Sequence, residues 1–204
     1  MASSDFFQSV GSEITLYAVP LALFLLTLGI TLFSARSKIR RLWLNRRARR
    51  RLDRLGLQQF SDFQCPDGLG NYFNVDRLLL RRDGISLVLF KQFPGSIFCA
   101  EHIDEWTQML GGKSYHFKNP LVDLDYKVKA VSACVPDVPV DGYLIFDYTA
   151  VFPKGHPDRV INIDHIPHSL KRDKNEKAQA AVVEAWEQLR AIQQKRGQSP
   201  LQEH

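Results

Sequence analysis

The chain has 204 residues and a formal net charge of +5, which allows one domain of ordinary size with additional segments. Its charge is uneven: residues 36–54 hold ten of the 27 basic residues and one acid, whereas residues 56–204 hold the other 17 with 19 acids. A near-neutral domain lacks the electrostatic footprint of a general nucleic-acid-binding surface. The three cysteines lack C-x-x-C spacing, which argues against a disulfide framework or a zinc site and indicates free thiols in a reducing compartment.

Residues 14–33 are twenty consecutive uncharged, mostly apolar residues. As a helix rising 1.5 Å per residue they would extend about 30 Å, which matches the hydrocarbon core of a bilayer. A cleaved signal peptide is the alternative, but residues 1–13 contain no Lys or Arg, and the apolar stretch is longer than a usual signal-peptide core. We therefore predict a short extracytoplasmic tail at residues 1–13 and a transmembrane helix at residues 14–34.

The basic segment that follows sets the predicted orientation. The positive-inside rule places the N-terminus outside and the C-terminal domain in the cytoplasm, as in a single-pass protein of a bacterial-type inner membrane. We predict a basic juxtamembrane helix at residues 35–57, ending near Gly56, whose cations contact anionic lipid headgroups. Nucleic acid is the alternative ligand of this segment, and an unidentified protein is a further candidate partner. The predicted contact residues are Arg36, Lys38, Arg40, Arg41, Arg46, Arg47, Arg49, Arg50, Arg51 and Arg54.

Residues 58–170 are predicted to form the folded domain. Residues 101–112 are predicted to be a short helix or turn closed by two glycines. Asn119 as N-cap and Pro120 at the first helical position predict a helix whose apolar spacing continues to Val135. Strands are predicted near residues 71–80, 85–91, 96–100, 142–152 and 159–163.

Residues 171–204 are predicted to form a C-terminal helix and tail. The helix is predicted to begin at Asp173, because Glu176 three residues later completes a capping-box pattern. Gly197 is predicted to end it.

Residues 74–93, NVDRLLLRRDGISLVLFKQF, have the pattern of a β-hairpin turning at Asp83-Gly84. A two-residue turn would place Asp76 opposite Lys91, and a four-residue loop would place it opposite Leu89. In either register Asp76, Leu89 and Lys91 are predicted to share one face of the sheet.

An aspartate on one strand and an acid-x-lysine motif on the next are typical of the PD-(D/E)xK nuclease class. There the carboxylates bind a divalent metal and the lysine orients or activates the attacking water. Residues 74–125 more specifically resemble the NERD (nuclease-related) domain. The resemblance implies an α/β (α+β) fold, a restriction-endonuclease-like mixed sheet flanked by helices, preceded here by one transmembrane helix. The positions that carry it are Asp76, Gly84, Lys91, Gly95, Trp106, Asn119, Pro120 and Leu121.

The sequence departs from this family at the second acid. Leu89 stands two residues before Lys91, where the resemblance implies a glutamate, and a leucine side chain cannot bind Mg²⁺. We therefore predict a catalytically degenerate domain without metal or cofactor that acts as a binding or interaction module. Asp76 and Lys91 would be the remnant of the catalytic site, left as an ion pair. The alternative is a Mg²⁺-dependent nuclease for DNA or RNA in which a relocated carboxylate replaces the missing acid.

Overall fold

The chain consists of an N-terminal helix and an α+β domain, and the computed structural model describes residues 2–66, 71–173 and 175–197. Residues 1–47 and 48–204 form two separate units. The helices are α1 (Ala2–Leu52), α2 (Pro120–Cys134) and α3 (Ala180–Gly197). The strands are β1 (Gln58–Pro66), β2 (Tyr72–Leu80), β3 (Ile85–Lys91), β4 (Gly95–Phe98), β5 (Glu105–Leu110), β6 (Lys113–Lys118), β7 (Val140–Phe146), β8 (Ala150–Val151) and β9 (Val160–Asn162).

Helix α1 contains the one described stretch that is long and apolar enough to cross a membrane. An 18-residue window within Pro20–Leu52 has a mean hydropathy of 1.5, and none of that window is buried. A signal sequence near an N-terminus can also meet this length and hydropathy criterion. The finding establishes a candidate span and says nothing of its orientation. Helical structure begins at Ala2, so the segment predicted as a tail is also helical.

Helix α1 ends at Leu52, earlier than the predicted end near Gly56. Leu55 forms an antiparallel bridge with Lys171, and the Gly56 N–H donates to the Leu170 carbonyl at 2.9 Å. Gly56 has a φ of +59°, a left-handed conformation that costs glycine no steric energy. Pairing with a distant segment therefore ends the helix before its local sequence pattern does.

The hairpin belongs to a five-stranded mixed sheet with the order β1-β2-β3-β7-β9. Strands β1, β2 and β3 are antiparallel neighbours, whereas β7 runs parallel to β3 and β9 parallel to β7. The strands predicted near residues 71–80, 85–91 and 159–163 are confirmed as β2, β3 and β9. Strand β1 lies where the sequence predicts no strand.

A second mixed sheet has the order β6-β5-β4-β8. Its strand β4 confirms the strand predicted near residues 96–100, but the helix or turn predicted at residues 101–112 is wrong, because β5 and β6 form an antiparallel hairpin there. Gly111 and Gly112, with φ of 57° and 79°, form the two-residue turn between them. Two successive positive φ angles match the right-handed twist of paired strands.

The single strand predicted at residues 142–152 is two strands, β7 and β8, in different sheets. Asp147 separates them by closing a turn. Its Oδ1 accepts hydrogen bonds from the Thr149 N–H at 3.1 Å and from the Thr149 hydroxyl at 2.6 Å. An aspartate that bonds its own backbone two residues on favours a turn over a continued strand.

Helix α2 confirms the prediction at its N-terminus. The Asn119 side chain accepts a hydrogen bond from the Leu121 N–H at 2.9 Å, and Pro120 is the first helical residue. Leu124 of the helix packs close to Gly142 of β7, where a β-carbon would lie 2.8 Å from a Leu124 methyl carbon. The small residue on the strand allows the helix to approach the sheet closely.

Helix α3 ends at Gly197 as predicted, but it begins at Ala180 and not at Asp173. The Asp173 carboxylate accepts from the Asn175 N–H at 2.9 Å, which is an Asx turn and not a capping box. The Gln179 N–H donates to the Arg82 carbonyl, which holds the chain in a non-helical path until the helix begins. Residues 198–204 of the predicted tail lie outside the described residues.

Buried side chains form two apolar clusters, one on each face of the five-stranded sheet. Leu87, Leu89 and Leu144 enter the larger cluster, whereas their neighbours Val88 and Ile145 enter the smaller one. Alternate residues of a strand point to opposite faces, so the sheet lies between two cores. The predicted class, an α+β fold of mixed sheets flanked by helices, is confirmed.

Candidate functional site

The turn between β2 and β3 decides between the two predicted registers. Leu80 pairs with Ile85, and the Arg81 N–H donates to the Gly84 carbonyl at 2.9 Å, so the connection is the four-residue loop. A β-carbon on Gly84 would lie 2.5 Å from the Pro139 carbonyl oxygen, which explains why glycine occupies this position. Pairing ends at Arg77 with Val88, one pair before Asp76 would meet Leu89.

The Asp76 side chain replaces a backbone hydrogen-bond acceptor beyond the last residue pair of β2 and β3. Its Oδ2 accepts a hydrogen bond from the Phe90 N–H at 2.7 Å, and the side chain is half-buried. A carboxylate that accepts a buried N–H gives a stronger bond than a neutral carbonyl does. The structure therefore assigns Asp76 a structural contact that does not involve Lys91.

The pairing of β1 and β2 is interrupted at Asp76. Asp62 lies across from Asp76 but has a φ of +52°, and the pairing of the two strands skips both residues. Val75 and Leu78 belong to the same apolar cluster although they are three residues apart, which departs from the alternation of a regular strand. At this irregular position the Asp76 carboxylate bonds to the β3 backbone.

Lys91 ends strand β3 and is half-buried. Among the residues that the structure describes, no hydrogen bond or ion pair involves its ammonium group, so the predicted pair with Asp76 is not formed. Its carbonyl accepts from the Asp147 N–H at 3.0 Å. The ammonium group of Lys91 is thus available to another ligand.

Leu89 is only 1% exposed and belongs to the larger apolar cluster. Leu78 and Leu87, which pair with each other across the hairpin, are fully buried in the same cluster. The position where the resemblance implies a metal-binding glutamate is therefore filled by hydrocarbon and closed to water.

Asp147 is the site residue that the sequence analysis misses. It follows the last residue of β7, and that residue, Phe146, pairs with Lys91 of the parallel neighbour β3. Carboxyl ends of parallel neighbouring strands meet at one edge of a sheet, so an acid after the apolar run YLIF was the available signal. The Asp147 carboxylate is occupied by its turn with Thr149.

Two further acids of the domain lie on other elements. Glu105 is the first residue of β5, in the other sheet, and Asp123 of α2 forms an ion pair with Lys127 at 3.1 Å. Within residues 2–66, 71–173 and 175–197 there is no group of three or more His, Cys, Asp or Glu side chains placed to hold a metal ion.

Nine of the ten cations in the basic segment are exposed, and the tenth, Arg51, is bonded to residues of the domain. The Arg51 guanidinium donates to the Ile163 carbonyl and to Asp164 Oδ1, both at 2.9 Å, and lies 5.5 Å from the Tyr148 ring centroid. The other nine predicted contact residues are exposed. Arg51 therefore stabilises the domain and is a weak candidate for binding lipid or nucleic acid.

Replacing Asp76 with alanine is expected to lower the free energy of unfolding by about 1.5–3 kcal/mol, because the Phe90 N–H loses its charged acceptor. Asp76→Asn keeps an acceptor oxygen and should cost less. Lys91→Ala is the matched control and should change stability by less than about 0.5 kcal/mol, since the Lys91 side chain has no bonded partner among the described residues. Urea unfolding of the full chain in detergent measures all three. An Asp76→Ala variant with the same free energy of unfolding as the parent protein would contradict the structural role of Asp76.

Comparison with known proteins gives a family match. The family model described as the nuclease-related domain, NERD, matches residues 40–147, which is more than half of the chain. The match spans α1 from Arg40, the hairpin, the second hairpin, α2 and β7. No curated protein and no solved structure gives a significant match.

Proposed function

This chain belongs to the nuclease-related domain (NERD) family, and from that premise we propose that its domain is a non-hydrolytic binding module held at a membrane. The domain would bind its partner through the surface that a nuclease of this class uses for catalysis, with Lys91 as a free cation at that surface. No metal ion takes part in the proposed role.

Burial of Leu89 is the observation that carries this proposal. A two-carboxylate site for Mg²⁺ needs oxygen ligands and several waters, because this cation loses its hydration shell reluctantly. Leu89 has no oxygen ligand to offer, and it and its neighbours Leu78 and Leu87 are buried from solvent. Asp76, the remaining acid of the hairpin, has its Oδ2 engaged by the Phe90 N–H.

The membrane attachment is proposed from α1. Its apolar stretch is long enough to span a bilayer, and the exposed arginines after it would lie at the cytoplasmic headgroups. The proposed orientation has residues 1–13 outside and the domain in the cytoplasm. A test is to fuse, after His204, a reporter enzyme that is active only outside the cytoplasm. Activity of that fusion would contradict the proposed orientation.

Asp147 favours one alternative, a metal-dependent nuclease that uses it as a relocated carboxylate. It lies at the same end of the sheet as Lys91, although its side chain is bonded to Thr149. In that case Mg²⁺ would be held by Asp76 and Asp147, and Lys91 would orient the attacking water.

A cleavage assay on the full chain in detergent separates the two functions. We expect no Mg²⁺- or Mn²⁺-dependent cleavage of linear DNA, plasmid DNA or single-stranded RNA, and no divalent-metal binding by calorimetry. Lys91→Ala and Asp147→Asn serve as the matched pair. Metal-dependent cleavage that both substitutions abolish would establish the nuclease and overturn the binding-module proposal.

A further inference from the structure

Cys65 and Cys134 place two free thiols side by side in the domain. Cys65 lies near the end of β1 and Cys134 is the last residue of α2, yet their Sγ atoms are 3.9 Å apart. Cys65 is fully buried within the larger apolar cluster, and Cys134 packs against that cluster while half-exposed. The thiol of Cys99, the third cysteine, donates to the Gly155 carbonyl at 3.8 Å.

We propose that Cys65 and Cys134 form a reversible dithiol/disulfide site that reacts with peroxides or with small-molecule disulfides such as oxidised glutathione. The sulfur atoms lie close to van der Waals contact, and a disulfide bond of about 2.05 Å requires them to approach by about 1.9 Å. This site is independent of the Asp76 and Lys91 hairpin and does not rest on the proposed function.

The two thiols have different chemical roles in the proposed reaction. The hydrogen bond from Cys65 lowers the pKa of the Cys134 thiol to about 7, and the same contact and burial raise the pKa of Cys65. Cys134 is thus both the more acidic and the more accessible sulfur, which are the properties of an attacking thiolate. Burial raises the pKa of Cys99 to about 11, so that thiol reacts more slowly.

The reaction with hydrogen peroxide balances as two steps. The Cys134 thiolate attacks one peroxide oxygen, the O–O bond breaks, and the products are a Cys134 sulfenic acid and hydroxide, which takes up a proton to become water. Cys65 sulfur then attacks Cys134 sulfur, the S–O bond breaks, and the leaving hydroxide takes the Cys65 proton as a second water. Two thiols are oxidised by two electrons, and one peroxide is reduced to two waters. With oxidised glutathione, the Cys134 thiolate attacks one sulfur and releases one glutathione thiolate. Cys65 sulfur then attacks Cys134 sulfur, loses its proton and releases the second glutathione, and reduced thiols reverse the bond by the same exchange.

The resulting disulfide would link β1 to α2 across 69 residues of sequence, a segment that contains the whole β2–β3 hairpin. A cross-link over a loop of this length restricts the unfolded chain strongly. Oxidation is therefore expected to raise the apparent melting temperature by on the order of 5–10 °C.

The test uses the full chain in detergent, treated with stoichiometric hydrogen peroxide or with oxidised glutathione and then alkylated. Peptide mass spectrometry should show a Cys65–Cys134 cross-link and an alkylated Cys99, and dithiothreitol should restore three alkylated thiols and the original melting temperature. Cys134→Ser should abolish the cross-link and the temperature shift, and Cys65→Ala should do the same. Cys99→Ser is the matched control and should retain both.

Three outcomes would overturn the proposal. One is alkylation of all three cysteines after oxidant treatment. Another is accumulation of Cys134 as sulfinic acid while Cys65 stays reduced. The third is a cross-link that forms only in urea or that lowers the melting temperature, since either would show that the native positions of the sulfurs do not allow the bond.

Discussion

Leu89→Glu is expected to destabilise the domain far more at pH 8 than at pH 5, and Mg²⁺ is not expected to relieve the loss. Removing the buried leucine costs about 1.5–3 kcal/mol at either pH. The new carboxyl group would lie among Leu78, Leu87 and Leu144, where burial opposes ionisation. The variant therefore tests directly whether hydrocarbon has replaced the metal site.

The sign of the pH dependence follows from the pKa of the introduced group. In the unfolded chain a glutamate ionises near pH 4.3, and burial raises the folded pKa by about three units. Stability is therefore lost as the pH rises from the unfolded pKa to the folded one. The ionisation part of the loss would be about 1 kcal/mol at pH 5 and about 4 kcal/mol at pH 8.

Thermal melts of Leu89→Glu at both pH values, each with and without Mg²⁺, measure these effects. Leu89→Gln is the matched control, because it loses the same burial but has no group that titrates, so its loss should be equal at the two pH values. Stabilisation by Mg²⁺ at pH 8 in the glutamate variant and not in the glutamine variant would show that a metal site needs only this one acid. That result would contradict the proposed filled site.

The elements predicted correctly are those whose signals are local. Helix α2 begins where Asn119 and Pro120 place it, because a cap and a fixed φ angle act on the next turn of the chain. The hairpin β2–β3 is marked by apolar runs on both sides of one turn. In both cases the residues that determine the structure are close to one another in the sequence.

The elements predicted wrongly depend on distant partners or on weak patterns. Strand β6 is exposed along most of its length, so no apolar face marks it, and the glycines at 111–112 were as compatible with a helix end as with a hairpin. The start of α3 is delayed because the Gln179 N–H bonds to Arg82, a residue far away in sequence. Secondary-structure propensities of individual residues carry no information about such long-range contacts.

The same distinction holds for the candidate site. The residue types Asp76, Leu89 and Lys91 are visible in the sequence, but their contacts are not. Asp76 bonds to the Phe90 N–H at a position where the pairing of β1 and β2 is interrupted and Asp62 has a positive φ. Asp147 is close to Lys91 only because β7 lies parallel to β3. A strand pattern predicts which residues share a strand, and tertiary pairing decides which of them meet.

The exposed arginines of the basic segment are expected to bind anionic lipid much more tightly than neutral lipid. Each Lys or Arg near an anionic surface contributes about 1 kcal/mol. A peptide of residues 36–54 in which five exposed arginines become glutamine should therefore bind vesicles containing anionic lipid about 10³- to 10⁴-fold more weakly than the parent peptide. The five positions are Arg40, Arg41, Arg46, Arg47 and Arg50.

Trp43 provides the corresponding measurement in the full chain. It is 57% exposed, whereas Trp106 and Trp186 are buried at 0% and 1%, so surface quenching reports on Trp43. In nanodiscs with anionic lipid, brominated lipid chains should quench Trp43 more than in neutral nanodiscs, and the five glutamine substitutions should remove that difference. Arg51→Gln is the matched single-charge control, because Arg51 is already paired with Asp164.

Duplex DNA is the competing ligand, and salt distinguishes it from lipid. Nine phosphate contacts, one for each exposed cation, would give a log–log salt slope of about −8 for duplex DNA, and the loss of five would leave about −3.6. If the segment lies on the headgroups, we expect the DNA affinity of the full chain in nanodiscs to depend much less steeply on salt. The five glutamine substitutions should then change that salt slope little. A slope near −8 that falls to about −3.6 in the five-fold variant, with Trp43 quenching unchanged by lipid charge, would assign the segment to nucleic acid and contradict the lipid prediction.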